Sequence, residues 1–498
     1  MEDHHRREGQ EEAERVEPCP AGDHGQRGPE KDGHGRSRQG PGTGGDGPFP
    51  DGGRRGRRGK RSVVHGGRLY LILTKPPKYA IVYILIIDIQ EVPMSASRTA
   101  LDRRAFLKTG LAGVAGAGAL SAVPSPLRGR EARLPPGKLL NRPLGKTGAV
   151  LPVVSMGVMN SNNENLIRAA LDRGIFHLDT AHGYQRGTNE GAIGKVLQGR
   201  SRDSFFLATK IPGEPRDRQG NFSPETKAGP FLDKVDLSLQ RLGLDHVDIL
   251  YLHNVQTRES VLFEPLLEAL QQLKKSGKAR FVGVSTHSNE HGVIRAALEG
   301  KVHDVVLLGY NFRKTNLPEI DAAMADGVKA GLGFVAMKTM AGGFWDRERQ
   351  EPINTKAALK WALNNPNITT AIPGVTAFDQ LEQNLVVGTD ITLTPEERAD
   401  LKLGEAEGYA GLYCQGCRTC LPQCPRALPL PDLMRSYMYA YGYRNLGAAY
   451  DLLASLRVGE NPCAGCGECT VRCAMGFDVR DRASDIARLQ AAPSEFFA

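Results

Sequence analysis

Eight of the nine cysteines in this 498-residue chain lie in two short stretches, CQGCRTCLPQCP from Cys414 to Pro425 and CAGCGECTVRC from Cys463 to Cys473. Both have the spacing C-x2-C-x2-C-x3-C. Three thiolates on one tight loop can grip three corners of an iron–sulfur cube. Structural zinc fits less well, because it usually draws on two ligand pairs with a longer spacer. Disulfides fit less well too, because they favour small secreted scaffolds, and this region is joined to a much larger one. A second set of reactive residue types is dispersed upstream: Asp179, Tyr184, Lys210 and His253, each at or just past the end of an apolar run.

The doubled cysteine motif resembles bacterial two-cluster ferredoxins over about residues 413–477. In that family the fourth cysteine of each motif crosses to the other cluster. The resemblance therefore implies one 4Fe–4S cluster on Cys414, Cys417, Cys420 and Cys473. It implies a second on Cys463, Cys466, Cys469 and Cys424. The first motif ends in the family's Cys-Pro, whereas the second ends Cys473-Ala474. The insert between the motifs reads as helical, since DLMRSYMYAY and LGAAYDLLASL carry apolar residues at helical spacing.

The dispersed set must be positioned by the segment before the cysteines. Between residues 139 and 390, eight short apolar runs alternate with amphipathic stretches: VVSMGV, IFHLDT, FFLATK, VDILYLH, RFVGVS, VVLLGY, GFVAMK and TTAIPG. Continuous apolar runs suit a parallel sheet buried on both faces. Eight strand–helix units suit an α/β fold of the TIM (β/α)8 barrel type, with the cysteine region as a C-terminal α+β ferredoxin-like domain. SMGVMNSNN, after the first run, lacks the G-x-G-x-x-G of a Rossmann dinucleotide site. Active sites of barrels lie at the C-terminal ends of the strands, where Asp179, Lys210 and His253 fall.

At these residues the segment resembles the aldo/keto reductase family, through LDTAHGYQRGTNEGAIGKVL, FLATK, LGLDHVDILYLHN, GKARFVGVSTHS and IPGVTAFDQLEQNL. The resemblance implies a catalytic tetrad of Asp179, Tyr184, Lys210 and His253. Reducing a carbonyl by hydride needs a proton at its oxygen. A free tyrosine has a pKa near 10, and a cation beside it lowers that value. Lys210 would tune Tyr184, Asp179 would hold Lys210, and His253 would orient the carbonyl. The resemblance also implies NAD(P), with Ser285, Gly374, Gln383 and Asn384 at family positions and Tyr310 and Lys338 as substitute contacts. Several family nucleotide contacts are replaced: Ser285 is followed by Thr286, Leu307 stands at the glutamine position, no aromatic follows Met337-Lys338, and Gln380 stands near the position of the phosphate-binding arginine.

The formal charge of +8 belongs to the front of the chain. Residues 139–498 hold 40 basic and 40 acidic side chains, so the body is neutral and offers no basis for nucleic-acid binding. Residues 1–68 are rich in Gly, Arg, Pro and Asp, and a disordered or untranslated extension is expected over 1–93. RRAFLK at Arg103–Lys108, followed by a run of small apolar residues, resembles a twin-arginine export signal over 94–122. Translation from Met94, transient contact with the export machinery and a periplasmic or cell-envelope location are expected, with a cytoplasmic location if the signal is not used. A linker is expected over 123–138 and a linker helix over 391–412, before a cluster domain over 413–498.

The sequence thus points to an oxidoreductase interconverting a small carbonyl and alcohol by NAD(P)-linked hydride transfer, with two 4Fe–4S clusters for electron relay or structure. Two other readings stay open. One is a cluster-dependent redox enzyme that does not use nicotinamide. The other is an electron-transfer protein, paired with an external electron partner, whose barrel is catalytically silent.

Overall fold

A computed structural model describes residues 60–65, 68–73, 83–88, 138–217 and 220–497. The chain divides into two units, Met1–Ser125 and Pro126–Ala498. In the first, strands β1 (Lys60–His65), β2 (Arg68–Leu73) and β3 (Tyr83–Asp88) pair as an antiparallel meander. They fall within the 1–93 segment where the sequence leads one to expect disorder or no translation. Residues 94–122, with the twin-arginine motif, and 123–137 of the expected linker lie outside the described residues.

The second unit begins with a hairpin of β4 (Asn141–Pro143) and β5 (Val150–Pro152). Eight parallel strands follow: β6 (Met156–Gly157), β7 (His177–Asp179), β8 (Phe206–Ile211), β9 (Val247–Leu252), β10 (Ala279–Thr286), β11 (Val305–Gly309), β12 (Gly333–Met337) and β13 (Thr370–Ala371). Each coincides with one of the eight apolar runs read from the sequence, with β8 and β10 extending slightly beyond theirs. They pair in chain order, and bridges from Val154 to Ala371 and from Gly157 to Gly374 join the first strand to the last. The result is the expected (β/α)8 barrel.

The helices between the strands are α1 (Glu164–Asp172), α2 (Thr188–Leu197), α3 (Ala228–Leu242), the short α4 (Arg258–Val261) with α5 (Glu264–Lys275), α6 (Glu290–Gly300), α7 (Leu317–Ala330) and α8 (Thr355–Leu363). After β13 comes α9 (Phe378–Thr389). Alternation along each strand divides two cores. Leu207, Leu250, Val282, Val306 and Phe334 face the helices. Phe206, Ala208, Ile249, Tyr251, Val305, Leu307 and Val335 fill the barrel with Leu144 and Leu151 of the hairpin. Because Phe206 and Ala208 point inward, the same period turns Lys210 inward at the strand end.

The chain continues through α10 (Pro395–Asp400) and α11 (Leu403–Ala406) into the cysteine region. That region holds α12 (Leu430–Tyr441), α13 (Leu446–Leu456) and α14 (Val479–Ala487). The expected linker does not act as a spacer. Leu393, Leu401 and Leu412 join Trp345, Ala357, Ala358, Leu433, Tyr437, Leu453 and Phe477 in one apolar core. Gly404 lies so close to the Trp345 ring that a Cβ would stand 2.1 Å from it. The barrel and the cluster domain are therefore fused through packing.

His177 on β7 is fully buried, with Nδ1 2.9 Å from Ser155 Oγ. Burial, aided by the Lys210 charge, pushes its pKa down to about 3. The unfolded chain takes up this proton near the ordinary value of about 6.5. The native state refuses it until about pH 3. His177 thus favours folding at neutral pH, and that contribution is lost as pH falls from about 6.5 toward the folded value, by about 1.4 kcal/mol per unit. Urea melts at descending pH should show this slope, and His177→Asn should flatten it.

Candidate active site

The ends of β7, β8 and β9 bring the dispersed tetrad together. Lys210 Nζ donates to Asp179 Oδ1, to the Thr180 carbonyl at 2.6 Å and to the Tyr184 hydroxyl at 3.4 Å. Asp179 and Lys210 are only 2% and 1% exposed, so neither charge is supported by water and each depends on the other. Burial raises the Asp179 pKa and lowers that of Lys210, and the pairing opposes both shifts. Tyr184 packs edge-on against His253, with ring centroids 6.1 Å apart and an interplanar angle of 81°. Burial, followed by the charges of Lys210, Arg216, Arg435 and Lys338, holds His253 well below its ordinary pKa. It is a neutral imidazole, suited to hydrogen-bonding a carbonyl oxygen.

Burial first and the Asp179 charge second hold the Tyr184 phenol well above its ordinary pKa, so it carries its proton at neutral pH.

Tyr184, His253, Asn254, Gln256 and His287 line a cleft of about 1720 Å³ whose other wall is Arg435, Tyr439, Tyr443 and Arg444 of the insert between the cysteine motifs. Sequence reading found the insert's helices but not their place over the barrel mouth. Asn445 donates to Asn160 Oδ1 at 2.8 Å, Arg186 donates to Asp451 at 3.1 Å, and Arg435 donates to Asn254 Oδ1 at 3.4 Å. Lys338, just past β12, donates to the Tyr439 hydroxyl at 3.4 Å and lies 4.7 Å from that ring's centroid. Tyr443 stacks behind Tyr439 at 5.8 Å and 23°. The sequence signal was slight: Arg435 and Tyr439 stand four apart in DLMRSYMYAY.

These contacts decide whether the residues suit a nicotinamide nucleotide. Lys338 is covered by Tyr439 and Tyr443. Ser285 is 1% exposed, and its hydroxyl accepts from Asn254 N at 2.9 Å. Leu307 is an apolar filler of the barrel. Tyr310 turns outward, stacking on Trp361 at 5.3 Å and donating to Asp321 at 2.8 Å. Gly374 and Gln383 are exposed, and Asn384 is buried with its amide nitrogen unpartnered. None of the six candidates lines the main cleft. Ser285, Tyr310 and Lys338 are thus engaged by groups of the protein itself, whereas the Asn384 amide nitrogen is not.

The cysteines fall into two groups. The electrostatic neighbours of Cys414 are Cys420, Cys473 and Cys417, whereas those of Cys463 are Cys466, Cys469 and Cys424. This is the crossed arrangement implied by the ferredoxin resemblance, and the donor set suits iron–sulfur clusters. Without a cation to balance them, burial and mutual repulsion push the Cys414 thiol up to about 12 and Cys420 to about 11. Among the described residues no three His, Cys, Asp or Glu side chains converge on a single mononuclear metal point.

The first cysteine loop is docked against the loops that follow β10 and β11. Lys314 Nζ donates to Glu290 Oε1 at 2.5 Å and to the Gln415 carbonyl at 2.7 Å, and both charged side chains are at most 1% exposed. Gln415 Oε1 accepts from Thr315 N at 2.9 Å and Oγ1 at 2.8 Å. Gly416 leaves no room for a side chain, since a Cβ would meet Ser288 Cβ at 2.6 Å. A small cavity of about 20 Å³ lies among Cys414, His287, Lys338 and Arg435.

Residues 155–357 match the Aldo/keto reductase family, and residues 413–477 match the 4Fe-4S dicluster domain. The chain is 25% identical over 335 residues to an L-glyceraldehyde 3-phosphate reductase of Escherichia coli O157:H7, covering 56% of this chain and 95% of that protein. It is 26% identical over 299 residues to an L-galactose dehydrogenase of Arabidopsis thaliana, covering 51% and 89%. A solved aldo/keto reductase from Klebsiella pneumoniae in complex with NADP and acetate is 22% identical with a TM-score of 0.42, covering 52% and 93%. The chain is thus an oxidoreductase whose residues 155–357 are similar to the aldo/keto reductase family and whose residues 413–477 are similar to 4Fe–4S dicluster domains.

Lys314→Met would leave Glu290 buried and unpaired, at a cost of about 3–5 kcal/mol. Urea melts should show this loss, and limited proteolysis should cut near Gln415 sooner. Lys314→Met with Glu290→Gln should recover part of the stability.

Proposed function

We propose that this oxidoreductase interconverts a small carbonyl compound and its alcohol at Tyr184 and His253, with electrons supplied through its own 4Fe–4S clusters. The observation that carries this reading is the shared cleft: one wall bears Tyr184 and His253, and the other comes from the cluster domain. Two reduced clusters, when bound, would supply the two electrons that a carbonyl needs. Because a cluster passes electrons singly, the substrate must tolerate the first before the second. That favours carbonyls conjugated to an unsaturated or aromatic group.

The chain's residues suit such a substrate. Tyr184 retains its proton and can give it to the carbonyl oxygen. Neutral His253 can hold that oxygen by a hydrogen bond. Arg216, Arg435 and Lys338 bring positive charge toward His253, which would stabilise negative charge developing on the carbonyl oxygen. Asp179 positions Lys210, and the intact tetrad weighs against a silent barrel.

A second reading is NAD(P)-linked hydride transfer, the chemistry the aldo/keto reductase likeness suggests. It is favoured by the unpartnered buried amide of Asn384, and it predicts turnover with NADH or NADPH alone. The twin-arginine reading of Arg103–Lys108 accords with clusters, because that route carries folded proteins. Mass spectrometry of the native protein should then find no peptide upstream of Met94.

Anaerobically purified protein should hold about eight irons and eight sulfides, as two four-iron sites require. Cys473→Ser should lose the cluster of the first motif, not the second. Dithionite-reduced protein should reduce benzaldehyde without added nucleotide. Tyr184→Phe should lower the rate by about 10²–10⁴-fold with unchanged iron content. Turnover that requires NADH or NADPH would favour the second reading, and a fully active Tyr184→Phe would remove the site assignment.

A further inference from the structure

A second imidazole faces the cleft. His287, one residue past β10, lines it together with Tyr184 and His253 and also borders the small cavity of about 20 Å³. β9 and β10 are neighbours, with Leu252 opposite Val284. Continuing that register sets His253 level with Ser285, and His287 follows two residues on. The two segments are tied together, since Asn254 N donates to Ser285 Oγ and Val255 N to the Ser285 carbonyl, each at 2.9 Å.

His287 has no structural employment. His177 and His182 each stand 2.9 Å from a serine hydroxyl. Among the described residues, no hydrogen bond or ion pair engages the His287 ring, which is partly exposed. Ser288 is 2% exposed, and its hydroxyl is also without a partner among the described residues. It borders the same small cavity, as do Arg435 and Lys338. Arg435 reaches across from α12, and its Nη1 donates to Asn254 Oδ1 at 3.4 Å, beside the residue that follows His253. Burial first, then the charges of Arg435 and Lys338, hold His287 well below its ordinary pKa. Its ring is therefore neutral and keeps one N–H to donate. The groups that disfavour an anion there are Cys414 and Asp432, the latter already ion-paired with Arg435 at 2.5 Å.

An imidazole N–H, a serine O–H and a guanidinium are the donors that a carboxylate accepts from. A cavity of this size admits about one water-sized group, the bulk of one carboxylate oxygen. We propose that His287, Ser288 and Arg435 form a carboxylate subsite beside the carbonyl site, so that the enzyme takes 2-oxo acids in preference to simple aldehydes and ketones. This rests on the placing of the carbonyl oxygen at Tyr184 and His253 in the reading above, and it is the same whether clusters or a nucleotide supply the electrons. The carbonyl and carboxylate of a 2-oxo acid sit on adjoining carbons, as His253 and His287 sit on adjoining segments. Such a compound with an aromatic substituent also has the conjugated carbonyl that the reading above favours.

Binding reads this subsite without turnover. Isothermal titration calorimetry of the oxidised holoprotein with phenylglyoxylate, and with its methyl ester, isolates the contribution of the carboxylate. The acid should bind at least about tenfold more tightly than the ester, the size of one hydrogen bond to a charged group. His287→Phe should bring that ratio close to one. His287→Asn, a smaller change that keeps a donor, should leave a reduced preference, and Arg435→Gln should reduce it as well. An ester bound as tightly as the acid would overturn the subsite. So would an acid preference that persists undiminished in His287→Phe and His287→Asn, or the binding of neither compound. None of these outcomes removes the assignment of Tyr184 and His253, which stands or falls on benzaldehyde turnover and its loss in Tyr184→Phe.

Discussion

The cluster domain belongs to the active site because of a buried charge. Lys314 and Glu290 are removed from water at the barrel's mouth, and the lysine spends a further hydrogen bond on the Gln415 carbonyl. An ion pair without solvent tolerates little displacement, because parting it exposes each charge to an apolar surround. Gln415 is the residue after Cys414. The first cysteine loop is thus fixed to the ends of β10 and β11, and α12 and α13 must leave it across the cleft. Arg435, Tyr439 and Asn445 reach the barrel loops as a consequence of that anchor.

The same constraint explains Tyr184 and Tyr439, each beside a lysine. A phenol in a dry site gains proton affinity from burial, and nearby cations can reverse this. At Tyr184 the Asp179 charge adds to burial, so the phenol stays high despite a lysine at 3.4 Å. At Tyr439 the charges of Lys338 and Arg435 outweigh burial, so the phenol falls at the same separation. Distance alone would have ranked the pairs as equal. The other charges beside each pair separate them.

Much of this was legible in the sequence. The eight strands follow from β-branched runs with breaks between them, because a strand buried on both faces needs little else to declare itself. Asp179, Lys210 and His253 fall at strand ends fixed by the same pattern, the tetrad itself being implied by the aldo/keto reductase resemblance, and the period of two turns Lys210 inward once Phe206 and Ala208 face the interior. The cysteine partition is implied by the ferredoxin resemblance that the doubled motif carries. Tyr310 misled because its aromatic type suits stacking anywhere, and only the structure shows Trp361 and Asp321 claiming it. Lys338 misled because its partner lies about a hundred residues later, on a helix whose local pattern says nothing about where it docks.

The linker shows the same limit from another side. The sequence leads one to expect a linker helix over 391–412, yet Gly404 within it lies against the Trp345 ring. A glycine that admits an aromatic ring and a glycine that frees the backbone look identical in sequence. Once Trp345, Leu412 and Leu433 share a core, the two domains cannot separate without exposing it. A transfer of charge between cleft and cysteine loop then requires no domain motion. The cleft wall that carries Tyr439 is held by the same packing that holds the cysteines, so a change at either can be felt at the other.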